Sequence, residues 1–110
     1  TTNLANQQQI IEQRKADVKA AQAKVAQVKT QLALSIQQLK RLESLVGVGA
    51  VSQNEVDTAK AAVKNNEALM SQAIASVNVA REGQKTAEVA KIGLVAQIKS
   101  ANAQLNQAMA

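Results

Sequence analysis

Apolar residues recur every seven positions along the first half of the chain. Counting from Leu4, every seventh residue up to Val46 is Leu, Ile or Val. In heptad notation these residues take position a, and the residues three places later take position d. Seven consecutive matches predict a helix whose apolar stripe packs against a second helix as a coiled coil. The a positions are Leu4, Ile11, Val18, Val25, Leu32, Leu39 and Val46.

The second half of the chain repeats this pattern from Val56 onwards. Val or Met occupies most of its a positions at first, and Ala occupies most of its d positions. Large residues at a facing Ala at d let two helices approach near the short end of the usual range of distances. The two halves therefore predict an all-α fold, a long antiparallel two-helix coiled-coil hairpin.

The a register of the second half weakens between about residues 82 and 95. Gln84 and Lys91 take a positions there, and two glycines lie beside them. A competing apolar stripe is formed by Val89, Ile92 and Val95. Each glycine costs the helix about 1 kcal/mol relative to Ala, which predicts a bend more than a break. We expect locally looser or shifted packing in this stretch.

The segment between the halves contains a helix stop, a turn and a helix start. Gly47 stands where a helix commonly needs a left-handed residue, and Gly49 follows in the turn. Ser52 and Glu55 have the spacing of a capping box. Val51 and Val56 stand at the two positions of a hydrophobic staple.

These signals set the expected boundaries of one hairpin covering residues 1–110. We expect helix one over about 3–46, the tip over 47–52 and helix two over about 53–109. Folding at the tip leaves residues from about 96 to 110 without a partner in the chain. The pattern also begins inside a helix, so we expect the chain to be a segment of a larger protein.

The composition argues against catalysis and against metal or cofactor chemistry. The chain has no Cys, His, Phe, Tyr, Trp or Pro. The usual proton shuttle and thiol nucleophile are therefore missing, as are the ligands of an ordinary zinc site. We predict a protein that is not an enzyme and that holds neither a metal nor a cofactor. No apolar run approaches the length of a membrane span.

The net charge of +5 comes from 13 basic and 8 acidic residues, with the basic excess on the first helix. The cations are spread along that helix and lack aromatic neighbours, so no nucleic-acid partner is expected. One alternative is an amphipathic coiled coil that binds lipid or an anionic polymer, which liposome flotation would detect. Another is a purely structural coiled-coil spacer, for which substitutions at the tip would have no phenotype.

The tip is more apolar than a turn requires. Val48, Ala50 and Val51 stand where Asn, Asp or Ser would be ordinary, and Leu45 lies outside the a and d positions. Arg41 lies in the last turn of helix one, where a cation suits the negative end of the helix dipole. An apolar tip on a polar hairpin predicts a docking surface.

Arg41, Leu45 and Ser52 have the spacing R-x3-L-x6-S. This spacing resembles the tip motif of periplasmic adaptors, or membrane fusion proteins, of Gram-negative efflux pumps and type I secretion systems. The residues after the serine also fit the family: Gln53, Asn54, Glu55, Val56 and Ala59. The length of the predicted helices resembles the longer-hairpin branches of that family, which are HlyD-, EmrA- and MacA-like.

The resemblance implies a scaffolding module whose tip meets the helical tips of a TolC-like outer-membrane channel. Arg41 would donate hydrogen bonds to the channel backbone, Leu45 would act as an apolar plug, and Ser52 as hinge and hydrogen-bond partner. It also implies contact with an inner-membrane transporter through domains outside this segment, and a homo-oligomer, a hexamer in the full assembly. The location implied is the periplasm, as part of a protein anchored in the inner membrane.

Overall fold

The computed structural model describes residues 2–109, which form two α-helices joined by a short connection. Helix α1 spans Thr2–Gly47 and helix α2 spans Gln53–Met109. The described residues contain no strand, and the helices pair as an antiparallel hairpin. The predicted all-α hairpin is therefore confirmed. Each helix boundary lies within one residue of the sequence-based expectation.

The chain divides into two compact units. We call Ala20–Val77 the turn unit, because it contains the connection between the helices. We call Thr1–Lys19 with Asn78–Ala110 the terminal unit. Each unit contains part of both helices and is described by itself below.

In the turn unit, the buried residues are those of the predicted a and d positions. The buried side chains on α1 and α2 there are Val28, Val56, Ala59, Val63, Ala73 and Val77. The remaining apolar a and d residues of α1 in this unit are half-buried. Val56 is among the most enclosed side chains, with 2% of its surface exposed. The heptad pattern thus identified the seam between the helices correctly.

In the terminal unit, the seam is partly polar. The Gln7 amide donates to the Ala87 carbonyl oxygen at 2.9 Å, and the Lys91 ammonium donates to the Gln8 amide oxygen at 2.7 Å. Both bonds join α1 to α2 among part-buried groups. A buried polar group needs such a partner, since an unpaired one costs a few kcal/mol. The partners on α1 therefore allow Lys91 to keep its a position.

The expected shift of packing between residues 82 and 95 does not occur in the terminal unit. Val89, Ile92 and Val95 are 59%, 68% and 40% exposed, so the competing apolar stripe faces away from the seam. Gln84 and Lys91 remain half-buried at their a positions. The expected shift was wrong, because a polar partner on α1 bonds Lys91 at its a position. Looser packing in this stretch stays a prediction.

Gly83 also belongs to this seam. A β-carbon built at Gly83 would lie 3.7 Å from Cδ of Arg14. The aliphatic stem of Arg14 therefore lies beside Gly83, at a distance where a methyl group would make ordinary van der Waals contact. Gly83 accommodates a long side chain from α1, and the helix continues through it without interruption.

The end of α2 lacks cover, as the sequence predicted. Every described residue from Lys99 to Met109 is exposed, whereas Ile98 is half-buried. Neither helix, over residues 2–109, carries a stretch both long and apolar enough to cross a membrane.

Candidate functional site at the hairpin tip

The end of α1 is closed by backbone hydrogen bonds from the connection back to the last turn of the helix. The Ala50 amide donates to the Leu45 carbonyl at 2.9 Å, and the Gly49 amide donates to the Val46 carbonyl at 3.1 Å. Gly49 has φ +80°. This combination is a Schellman motif, which satisfies carbonyls that the helix itself leaves unpaired.

The left-handed residue of this motif is Gly49, which corrects the expectation for Gly47. Gly47 is the last residue of α1, and its φ is not positive. The Leu45 carbonyl accepts from the amides of Val48 and Ala50, and the Val46 carbonyl accepts from the amide of Gly49. The left-handed position is therefore two residues later than expected, and α1 ends one residue later than expected, at Gly47.

The two glycines offer a matched test of this geometry. A β-carbon added at either position meets no atom within 4 Å, so only the backbone conformation distinguishes them. We expect Gly49→Ala to lower the free energy of unfolding by about 1–2 kcal/mol, because L-residues are strained at positive φ. Gly47→Ala should raise it by about 0.5–1 kcal/mol, because alanine favours a helix. Urea unfolding followed by circular dichroism measures both; equal effects would contradict the assignment.

The start of α2 is capped by Ser52, as predicted. The Ser52 hydroxyl oxygen accepts from the Glu55 amide at 3.3 Å, and the Ser52 carbonyl accepts from the Val56 amide at 3.4 Å. Only half of the predicted capping box forms, since no hydrogen bond joins the Glu55 carboxylate to the Ser52 amide in the described chain. The Ser52 hydroxyl therefore acts as an acceptor, and its own proton remains available to a partner.

The apolar residues of the tip differ in exposure. Val48 is 79% exposed, Leu45 and Val51 are half-buried, and Val56 is buried. The expected staple between Val51 and Val56 stays a prediction, because the a position of Val56 in the seam already accounts for its burial. Leu45 is partly exposed, as its place outside the a and d positions predicted. The tip thus presents apolar surface that the chain itself leaves uncovered.

Arg41 lies one turn before Leu45 on α1, so both side chains project from one side of the helix. The last turn of α1 holds no basic residue, so the expected place of Arg41 in that turn was wrong: the helix runs on to Gly47. The Arg41 side chain is exposed, and within residues 2–109 the structure records neither an ion pair nor a hydrogen bond for its guanidinium. Five N–H donors of a planar group are therefore free for a partner.

A shallow groove adjoins the tip in the turn unit. Its volume is about 380 Å³, and residues of both helices line it. The polar side chains in it include Gln38 of α1 with Asn54 and Glu55 of α2. Sequence analysis placed Asn54 and Glu55 in the run after Ser52 but gave no signal for Gln38, which faces them only once the hairpin has formed.

The described residues around this site do not include a cluster of metal ligands. Across residues 2–109, no group of three or more His, Cys, Asp or Glu residues is placed to hold a metal ion. The groups at the tip are the Arg41 guanidinium, the Ser52 hydroxyl, the amides and carboxylate of the adjoining groove, and apolar side chains. Groups of this kind can bind a partner protein through hydrogen bonds and apolar contact.

A two-helix hairpin with a capped apolar tip and a free arginine defines an interaction module. Residues 17–83, more than half of the chain, match the model of the alpha-helical hairpin domain of RND membrane fusion proteins. The chain therefore belongs to the family of RND membrane fusion proteins. Neither a curated protein nor a solved structure matches the chain.

The match confirms the resemblance seen in the tip residues. The matched range contains the whole tip, from Arg41 to Val56, and ends before the last part of α2. Proteins of this family are non-enzymatic periplasmic adaptors, anchored to a membrane, that act in tripartite efflux systems. They associate with an outer-membrane channel and an inner-membrane transporter. The HlyD-, EmrA- or MacA-like branch stays a prediction.

Proposed function

We propose that the tip of this hairpin docks onto a TolC-like outer-membrane channel. The observation that carries the proposal is the state of the three motif residues. Arg41 has no partner among the described residues, Leu45 is half-covered, and the Ser52 hydroxyl keeps its proton after capping α2. All three lie in the turn unit: Leu45 in the last turn of α1, Arg41 one turn earlier, and Ser52 immediately before α2.

The polar part of the contact is carried by Arg41 and Ser52. A helix tip on the channel ends in carbonyl oxygens that its own helix leaves unpaired. A guanidinium and a hydroxyl proton are complementary donors for such oxygens. Hydrogen bonds from a charged donor are stronger than neutral ones, so Arg41 contributes the larger share.

The apolar part of the contact is carried by Leu45 and Val48. Val48 is 79% exposed, so most of its surface remains to be buried. Full burial of a valine or leucine side chain contributes about 1.5–3 kcal/mol. The backbone bonds of the Schellman motif hold this part of the loop in place, so little ordering is left for binding.

Several copies would engage the channel together. The family resemblance suggests a hexamer in the assembled pump, with each copy adding one tip. Linked weak contacts raise the overall affinity by making later contacts intramolecular. The inner-membrane transporter would be bound through parts of the protein outside this segment, and the hairpin would work in the periplasm.

Substitutions of Ser52 test the proposal, because they separate two roles of the side chain: capping α2 and donating a hydrogen bond to the channel. Ser52→Asp and Ser52→Asn both keep a side-chain oxygen for the Glu55 amide, but only asparagine offers a donor. We expect capture by an immobilised TolC-like channel to survive in Ser52→Asn and to fall in Ser52→Asp. Ser52→Ala should lose capture and about 1 kcal/mol of stability.

The neighbouring Gln53 supplies the matched control. Gln53→Asp adds the same charge one residue away, at an exposed position that is not in the tip motif. Capture should remain with Gln53→Asp. If Ser52→Asp were captured as well as the unaltered chain, donation by the Ser52 hydroxyl would be ruled out.

A further inference from the structure

The groove beside the tip presents hydrogen-bond acceptors. We call it the tip groove, and its polar lining residues are Ser35, Gln38, Asn54, Glu55 and Thr58. The Ser35 hydroxyl donates to the Leu32 carbonyl at 2.8 Å, and the Thr58 hydroxyl donates to the Asn54 carbonyl at 3.0 Å. Each hydroxyl thus uses its one proton within its own helix, and only its lone pairs remain for a ligand.

The charge of the tip groove is negative. Among the described residues that line it, Glu55 alone is charged. Across residues 2–109 its carboxylate takes part in no ion pair and no hydrogen bond, since only its backbone amide is bonded. A carboxylate accepts hydrogen bonds and donates none, and the amides of Gln38 and Asn54 can turn their oxygens to the same ligand. The groove therefore suits a group made of donors, an ammonium or a guanidinium.

The bottom of the tip groove is apolar. Leu42 and Ala59 line it from the d positions of the seam, half-buried and buried respectively. Lysine and arginine lay their aliphatic stems on apolar surface while their charged ends stay among polar groups. An apolar bottom edged by acceptors therefore matches a whole basic side chain better than a small inorganic cation.

The tip groove lies on the same side of α1 as the motif residues. Gln38, Arg41 and Leu45 are spaced by three and four residues, so they share one face of the helix. Gln38 lines the groove, and Arg41 and Leu45 continue from it towards the turn. A partner that covers Arg41 and Leu45 would therefore extend over the groove.

We propose that the tip groove receives a lysine or arginine side chain from the TolC-like channel, with the Glu55 carboxylate as its main acceptor. The proposal deepens the docking proposed above and rests on it. The docking face then has a donor, Arg41, and an acceptor, Glu55, on different helices. A partner must offer the complementary acceptor and donor at the matching separation, so Glu55 adds specificity to the contact.

The shallowness of the groove favours a cation carried by a docked surface. Sites for free small molecules enclose most of the ligand's surface, which an open groove between two helices cannot do. A side chain that projects from a docked partner is covered from behind by the partner itself. The channel is therefore the source of the cation that fits this groove.

Glu55→Gln tests the groove, because it removes the charge and keeps the size of the side chain. The Ser52 cap should persist, since it uses the Glu55 backbone amide. We expect the dissociation constant for an immobilised TolC-like channel to rise about tenfold. Glu55→Lys should weaken capture further, because it sets like charges against each other.

Asp57→Asn is the matched control. It removes one negative charge from the same end of α2, so net charge and the interaction with the helix dipole change in the same sense. Asp57 is exposed and does not line the tip groove. Capture should be unchanged with Asp57→Asn, and circular dichroism should show equal helicity in both variants. Equal losses of capture would assign the effect to net charge and overturn the proposal.

Charge exchange identifies the channel's side of the contact. Each lysine and arginine at the helical tips of the channel is replaced in turn by glutamate. One channel variant should lose the unaltered chain and regain capture with Glu55→Lys. If Glu55→Lys rescues none of these variants, the groove does not receive a basic side chain of the channel.

Calorimetric titration with spermidine distinguishes a free cation from one carried by the channel. No saturable binding to the hairpin is expected. Saturable binding that Glu55→Gln abolishes would make the groove a site for a free polyamine, and the assignment to the channel would be wrong.

The groove and the docking of the tip can fail separately. If Arg41→Asp abolishes capture and Glu55→Gln binds as well as the unaltered chain, the role of the groove is wrong and docking stands. If the channel does not retain the unaltered chain at all, docking is wrong and the proposal for the groove falls with it.

Discussion

Arg41→Asp should abolish capture of the hairpin by a TolC-like channel while leaving its helices intact. The substitution removes a charged hydrogen-bond donor, which contributes about 1.5–3 kcal/mol when it meets a carbonyl. That loss corresponds to about ten- to a hundredfold in affinity for one tip. In an assembly whose tips bind together, the losses compound. The measurement is retention by an immobilised channel, with helicity followed by circular dichroism.

Arg81→Asp is the matched control for this experiment. Arg81 is exposed on α2 in the terminal unit, outside the tip, and the change of charge is the same. Capture should be unchanged with Arg81→Asp. If both substitutions weakened capture equally, the effect would come from net charge, and the specific role of Arg41 would have to be abandoned.

Val56→Asp should produce the largest loss of stability of any single substitution considered. Val56 is 2% exposed at the first a position of α2. A carboxylate there would be buried without a partner, and we expect the free energy of unfolding to fall by about 3–5 kcal/mol. The helix dipole favours a negative charge near this end of α2, but by only about 0.3–1 kcal/mol. The cost of burial therefore outweighs the gain from the dipole, and the free energy of unfolding falls.

Val79→Asp separates burial from the chemical change itself. Val79 is 73% exposed on α2, so the same substitution should change stability by less than about 0.5 kcal/mol. Urea unfolding measures both variants. A similar loss in the two would mean that helix propensity, and not the seam, governs stability.

The heptad repeat made the fold predictable because its signal is local and redundant. Each a position of α1 repeats the same information, so no single residue had to be interpreted correctly. The same redundancy identified Val28, Val56 and Val63 as core residues before any contact was known. The spacing of apolar residues along the sequence is enough to predict the fold when every heptad of the helix follows it.

The details that failed depend on information from elsewhere in the chain. Gly47 and Gly49 both suit a left-handed position, and only the amides that reach Leu45 and Val46 decide between them. Likewise, the outward orientation of Ile92 goes with the hydrogen bond that Lys91 makes to Gln8 on α1. The spacing of residues along the sequence shows neither the backbone hydrogen bonds nor the contact between the helices.

The site was predictable to a different extent. The cap at Ser52 follows from local hydrogen-bond chemistry, and its bond to the Glu55 amide was found where the spacing put it. The roles of Arg41 and Leu45 came from the resemblance to a family, because an exposed arginine and a half-covered leucine have no local chemistry that names a partner. Those roles remain proposals.

The polar contacts of the terminal unit have a consequence for how this molecule avoids misfolding. Two heptad helices can slip by seven residues and still bring apolar side chains together. Such a slip would separate the part-buried Lys91 ammonium from Gln8, to which it donates at 2.7 Å, and lose that hydrogen bond. The off-register hairpin would carry that penalty, whereas the native one does not. Lys91 at an a position therefore favours the native register of the two helices over one shifted by a heptad.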